Sequence, residues 1–287
     1  MSRNRCSNVA ETCFNQSDFD YRREEGVNQS SLKKILESPA HYQAALKFKM
    51  IPTPAMEMGT ALHSLVLDGE EAFNATYVRK PDGLSLATKE GKEWKAKLGR
   101  KKALSEGGKD DPWGSVQGMA ESLGRLEWFS GSDAEYIKYN EVSIYWDWEG
   151  VRCKARLDRV LVDEGIVLDL KTTDSVEPDL FTKKVVGLGY DFQAAYYAKA
   201  AEVAFGKPFK FMFAAVERKA PYTVDIFDVS DAMMAEGMAK CTAAIRLYKT
   251  CNDLGRWPNR EPRIRSLEYP SWYTPYGQPT TEEEDLF

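Results

Sequence analysis

Two periods divide the chain. Through its first half apolar residues recur at helical spacing, and near Tyr139 the pattern switches to alternation. Asn28-Gln29-Ser30-Ser31 offers N-cap side chains ahead of Leu32, Ile35 and Leu36, which predicts a first helix ended by Ser38-Pro39. A second helix is expected over His41 to Phe48, before Pro52 and Pro54 break the chain. A third is expected from about Glu57 to Leu67, with Met58, Ala61, Leu62, Leu65 and Val66 on its apolar side and Asp68-Gly69 ending it. Residues 79 to 112 are polar and glycine-punctuated, either a mobile surface insertion or a loose-ended helix. From Trp113 to Phe129 the helical period returns at Val116, Met119, Ala120, Leu123 and Leu126.

Alternation at Val142, Ile144 and Trp146 predicts a half-buried strand, and Asp147 to Gly150 a turn. A second alternating run, Arg152 to Val162, leads through Asp163-Glu164-Gly165 into the apolar strand Ile166 to Leu170, which makes a three-stranded meander. A long helix follows from about Tyr190 to Phe205, closed by Gly206. Strands near Phe209 to Glu217 and Tyr222 to Val229 and a helix from Asp231 to about Tyr248 complete an α/β (α+β) layered chain with a central sheet flanked by helices. The expected division is a flexible segment over 1–27, a helical part over 28–135, a sheet-bearing core over 136–258 and a tail over 259–287.

Composition narrows the class. With 287 residues, 43% of them hydrophobic, the chain can bury a full core, which excludes a disordered or fibrous protein. It has no run of 18 apolar residues, and its start is polar, so no membrane partner and a cytoplasmic location are expected. Five cysteines with no CxxC pair indicate free thiols, neither a disulfide framework nor a zinc ribbon. The net charge of −5 does not announce a nucleic-acid binder, but its distribution matters more. Lys89, Lys92, Lys95, Lys97, Arg100, Lys101 and Lys102 lie in one short stretch with only Glu90 and Glu93 against them. That stretch reads equally as the wall of a DNA channel or as a solvated helix face.

Candidate chemistry gathers on the meander. Asp158 and Asp169 lie on strands joined by a tight turn, and two carboxylates so placed repel unless a divalent cation sits between them. Carboxylate and carbonyl oxygens suit Mg²⁺ or Mn²⁺. Lys171, two residues beyond Asp169, shares its face of the strand and can position or help deprotonate an attacking water and offset charge on a phosphorane-like transition state. On spacing alone, an ordinary surface Asp–Lys pair is the commoner meaning of such a motif. Against that reading, the charges emerge directly from the apolar run Ile166-Val167-Leu168, Glu141 supplies a third acid on the preceding strand, and Gln193 and Tyr197 share one face of the following helix.

These residues, in this order, carry a resemblance. Ala-Arg-Leu-Asp158-Arg, then Asp169-Leu-Lys171-Thr-Thr, then Gln193-Ala-Ala-Tyr-Tyr197 resemble motifs II, III and QxxxY of the PD-(D/E)XK (restriction-endonuclease-like) nucleases. Ser30-Ser31-Leu32-Lys33, Ser38-Pro39-Ala40-His41-Tyr42 and Gly59-Thr60-Ala61-Leu62-His63 are similar to the N-terminal part of the exonuclease VIII (RecE-like) branch found in phage and prophage recombination systems. The resemblance spans roughly residues 25 to 255. It implies Asp158, Asp169, the Leu170 carbonyl and His63 as metal ligands, Glu141 reaching the metal directly or through water, Lys171 as the catalytic lysine, and His41 as a packing residue. Without it, a lone histidine on so apolar a helix reads as a satisfied core residue. Some relatives hold an iron–sulfur cluster through four cysteines with a CxxC pair, which this chain lacks.

The branch further implies Mg²⁺-dependent (Mn²⁺ substituting), processive digestion of linear double-stranded DNA from its ends. It implies 5′ to 3′ polarity leaving 3′ single strands for an annealing protein, a homo-oligomeric ring around the duplex, and a phage or prophage origin inside a bacterial host. Two alternatives stay open: a structure-specific or nicking endonuclease with the same metal chemistry, and a DNA-end-binding module of weak turnover. The acidic end, Glu282-Glu283-Glu284-Asp285-Leu286-Phe287, is either a frayed solubilising tail or a docking peptide for a sliding clamp or another replication protein.

Overall fold

The structure, a computed structural model, describes residues 10–14, 16–48, 51–105, 111–130, 138–270 and 273, so the acidic tail lies outside the described residues. Strand β1 (Glu11–Cys13) and helix α1 (Asp18–Arg23) come first. Two regular elements thus fall inside the segment expected to be flexible. A three-residue strand is too short to show a period, yet β1 hydrogen-bonds along the first long strand of the sheet, and Ser17 caps α1 by accepting from the Asp20 amide.

Asn28 caps the next helix as predicted, accepting from the Ser31 amide at 3.0 Å, but α2 (Gln29–Leu32) tightens after one turn into a 3-10 segment, Lys33–Leu36. Ser38 caps α3 (Pro39–Lys47) and Thr53 caps α4 (Pro54–His63), each helix carrying proline in its first turn. A π-helical turn, Ser64–Asp68, continues α4. Next come α5 (Glu70–Thr76), β2 (Tyr77–Arg79), α6 (Lys89–Lys97), β3 (Lys102–Leu104) and α7 (Pro112–Gly124). Strands β2 and β3 pair in parallel with α6 between them in the chain, so the described part of the stretch 79–112 is neither of the two expected forms alone.

The meander forms as predicted from β4 (Lys138–Trp148), β5 (Val151–Leu161) and β6 (Ile166–Thr173). Glu149 and Gly150, both at positive φ (52 and 82), make the first hairpin turn, and Asp147 accepts from the Gly150 amide at 2.8 Å. Helix α8 (Pro178–Leu188) is missing from the sequence reading, although Pro178 at its first position, the i, i+4 pair Phe181 and Val185, and left-handed Gly189 after its end mark it. Then follow α9 (Tyr190–Phe205), β7 (Lys210–Glu217), β8 (Val224–Asp228) and α10 (Asp231–Leu254).

The six-stranded sheet has the order β1-β4-β5-β6-β7-β8, with β6–β7 parallel and the other pairs antiparallel, a mixed sheet as expected. One face is covered by α9, backed by α10, where Gly237 lets the two helices meet: a Cβ there would sit 2.2 Å from the Asp191 carbonyl oxygen. Helices α4 and α7 cover the other face, burying Ala61, Leu62, Val116 and Met119 against Leu170, Ala214 and Val216. The helical part therefore shares a core with the sheet. No described helix is long and apolar enough to cross a membrane.

Candidate active site

Strand register aligns three acids. Asn140 pairs with Arg159, Val142 with Leu157, and Arg159 with Leu168. Carried one step past those pairs, the registers set Glu141 against Asp158 and Asp158 against Asp169, neither of them a ladder pair, and the charge of the next acid raises both Glu141 and Asp158, which makes a row of carboxylates across β4, β5 and β6. The β5–β6 ladder itself stops at Arg159–Leu168, and beyond it the Leu170 amide donates instead to Asp158 Oδ2 at 2.8 Å. Glu141 has φ 51, in the left-handed region, where a non-glycine residue costs about 1–3 kcal/mol. Both departures from regular sheet fall where the acids gather.

Asp169 is 1% exposed, its Oδ1 accepting from Gln193 Nε2 at 2.8 Å and its Oδ2 paired with the Lys171 ammonium. The Lys171 ammonium also lies 4.7 Å from the centre of the Tyr190 ring. Glu141 is paired with Arg156. His63 reaches the row from α4, with Nε2 3.0 Å from the Leu170 carbonyl oxygen. A carbonyl can only accept, so Nε2 carries the proton and Nδ1 presents its lone pair 3.6 Å from Asp158 Oδ2. Lone pair and carboxylate repel unless a cation or proton lies between them.

Electrostatics point the same way. Burial and then the Asp169 charge push the Asp158 carboxyl well above the usual range. Burial and then Asp158 push Glu141 up to about 7, against the pull of Arg156. His63 is held below its ordinary value by burial and by Lys171. Burial alone would lower Lys171, but Asp169 and Asp158 outweigh it and its pKa is raised, so it stays protonated. One ligand atom each of His63, Glu141 and Asp158 lie within 4.8 Å of one another. Such crowding of acceptors fits a divalent cation, with the Leu170 carbonyl beside it.

These groups line a cleft of about 710 Å³, which also holds Arg22, Lys184 and Arg218. Of the residues named from sequence, Glu141, Asp158, Leu170, Lys171 and His63 meet in this cleft, with Asp169 and Gln193 buried directly beneath. Tyr197 does not line it. It lines a smaller neighbouring cavity of about 260 Å³ with Arg22, Lys154 and Arg156. His41 is remote and, against the packing role the resemblance implies, exposed on α3, its Nδ1 2.6 Å from Oγ of Ser38, the residue that caps the helix. Arg156 and Tyr190 were missed. Period-two spacing in Arg156-Leu157-Asp158 carried a signal for the first, whereas Tyr190 is brought to Lys171 only by the fold.

A mixed sheet, helices on both faces and an acid row ending in a lysine where two strands part define the class: the PD-(D/E)XK superfamily. The chain belongs to the family described as PDDEXK-like domain of unknown function (DUF3799), whose model matches residues 28–267 and so spans the helical part and the sheet together. Among solved structures, a presumed exonuclease from Eubacterium rectale matches with a TM-score of 0.59 and 16% identity, over 90% of this chain and 96% of that one. At that identity the likeness speaks for the fold. A second, the crystal structure of SSO0001, covers 78% of this chain and 77% of its own at 12% identity, and its TM-score of 0.34 carries no argument. No curated protein matches the sequence.

Proposed function

We propose that the protein is a divalent-metal-dependent deoxyribonuclease that degrades linear double-stranded DNA from its ends, with Mg²⁺ as the working ion and Mn²⁺ able to replace it. The observation that carries the reading is the row Glu141–Asp158–Asp169, placed where the β5–β6 ladder opens and completed by Lys171. Asp158, Glu141, His63 and the Leu170 carbonyl would hold the ion, with Asp169 beside them. When bound there, the ion supplies Lewis-acid polarisation of the phosphodiester and a water of lowered pKa.

The chain's own groups do the rest. Lys171, protonated between Asp169 and Tyr190, offsets the charge that develops on the phosphoryl oxygens and holds the attacking water by hydrogen bonding. Gln193 fixes the Asp169 carboxylate through its amide N–H, which leaves the other oxygen for Lys171. Lys184, together with Arg22 and Arg218 as they exchange their ion pairs with Asp18 and Asp174, receives the flanking phosphates. The 5′ to 3′ polarity, the ring, the annealing partner and a role in phage-type recombination form part of this proposal through the resemblance of the N-terminal motifs.

Linear and covalently closed duplex DNA incubated with Mg²⁺ test the reading, with Asp169→Ala and Lys171→Ala as controls. Linear DNA is expected to shorten from its ends while closed circles persist. Cleavage of closed circles would replace the exonuclease with an endonuclease, and equal activity in Asp169→Ala would remove the site.

A further inference from the structure

Beside the acid cleft, and sharing Ala55 and Arg218 with it, lies a second cavity of about 680 Å³ between the start of α4, helix α7 and the β7–β8 turn. We infer that this cavity receives an unpaired nucleobase from the DNA end. The inference rests on the nuclease reading above and adds where the strand goes next to the cut.

Charge, walls and size argue for a base. The rim carries Arg218 and Lys219 against Asp111 and Asp174, a balance that favours an uncharged group over a phosphate. Pro54, Met58, Ala220 and the Tyr222 ring supply apolar and aromatic surface, while Ser115 adds a hydroxyl at one side. A π-face with a few polar groups around it is how proteins hold bases removed from the helical stack. The volume falls within the 300–1,000 Å³ typical of small-ligand sites.

The turn that builds this wall is fixed to the catalytic strand. The Arg218 amide donates to the Thr173 carbonyl at 2.9 Å, two residues beyond Lys171, and the Glu217 amide donates to Thr223 at 2.9 Å. Tyr222 has φ 59, a region that a bulky residue occupies only where its surroundings hold it. Its ring is seated on Gly118 of α7, where an added Cβ would come within 2.2 Å of it. The aromatic wall is thus backed by Gly118 and held by its own turn, while Arg218 lines both cavities and, exchanging its ion pair with Asp174, can take the phosphate that links the held base to the scissile nucleotide. Melting the last base pair costs less when the freed base has a stacking partner, so the cavity would feed single nucleotides to the acids.

The test uses the full chain with Ca²⁺ in place of Mg²⁺, and duplexes carrying 2-aminopurine either in a one- or two-nucleotide overhang (5′ or 3′ in separate arms) or inside the paired region. Wild type is expected to quench the overhang probe of one arm and to leave the internal probe unchanged. Tyr222→Ala should lose the quench and bind overhang ends roughly tenfold more weakly, while Tyr222→Phe keeps both. Affinity for blunt duplex and the melting temperature show whether Tyr222→Ala has stayed folded. An unquenched overhang probe on wild type overturns the proposal without recourse to any variant. So does a quench that survives in folded Tyr222→Ala. Absence of DNA binding altogether overturns this proposal and the nuclease reading together, whereas binding and cleavage without the quench overturn this one alone.

Discussion

The two halves of the β5–β6 pair are built on opposite principles. Near the turn, Arg159–Leu161 and Ile166–Leu168 keep every ladder partner, and Val160, Leu161, Val167 and Leu168 are wholly buried, the arrangement that stability favours. A single residue further on the ladder ends, an aspartate accepts a strand amide, Asp169 is buried, and Glu141, Asp158 and Lys171 are drawn largely but not wholly out of water beside it. Charges in such a place cost stability unless they are paired or neutralised. The ordered half supplies the register, and the open half uses it. Because Arg159 is locked opposite Leu168, the acids meet without any bond between them having to align them.

The strongest way to break this comparison is to alter the open half. Asp169→Ala and Lys171→Ala should each lower the cleavage rate of linear duplex, read per folded molecule, by about 10³-fold or more, and each should also destabilise the fold by about 3–5 kcal/mol, because it strips a buried charge of its partner. A melting temperature unchanged in both variants would mean that neither charge depends on the other. The converse change is Leu168→Ala, one residue before Asp169 and wholly buried. It should cost about 2–5 kcal/mol in denaturant unfolding and leave the rate per folded molecule within a few-fold below the melt. Between them stands Gln193→Ala, which frees Asp169 Oδ1 without touching the acids. A loss of roughly 10–100-fold in kcat, with half-saturation by Mg²⁺ shifted upward, marks Gln193 as the group that orients Asp169. An unchanged kcat would leave the hydrogen bond as packing only.

How much of this was legible beforehand follows the same division. Alternation and turn residues located β4, β5 and β6 closely, because a half-buried strand writes its burial into period two and Asp163-Glu164-Gly165 writes the turn. Asp158, Asp169 and Lys171 were readable since register and spacing are local properties. Short or cooperative features were not readable in this way. Strand β1 holds three residues, the β2–β3 pair joins segments 25 residues apart along the chain (Tyr77 with Lys102), and α8 was passed over despite its capping residues. Tyr197 shows the limit of helical spacing. It shares a face with Gln193, but its ring lies beside Phe211 and lines a smaller cavity, not the cleft. His63 was accessible only by resemblance, because what brings it to Leu170 is the packing of α4 on the sheet.

The subtlest expected effect sharpens the comparison through pH. Glu141 rises from its ordinary 4.5 to about 7 in the folded chain, and Asp158 moves in the same direction, chiefly through burial and then through the neighbouring acid. A carboxyl whose pKa is higher folded than unfolded is easier to ionise in the unfolded chain. Its contribution to stability is therefore intact below the unfolded value and is lost as pH rises through the folded one. In chelator, unfolding free energy should fall between about pH 4.5 and pH 7, by about 2–3 kcal/mol from Glu141, with Asp158 prolonging the decline. Glu141→Gln should flatten that slope, whereas Leu168→Ala should lower the whole curve without changing its shape. Saturating Mg²⁺ should also flatten it, adding about 2.7 kcal/mol at a hundredfold excess over its Kd. Urea unfolding across this pH range, with and without the ion, measures all three. A slope that survives both Glu141→Gln and Mg²⁺ would place its origin outside the acid row and remove the contrast between the two halves of the strand pair.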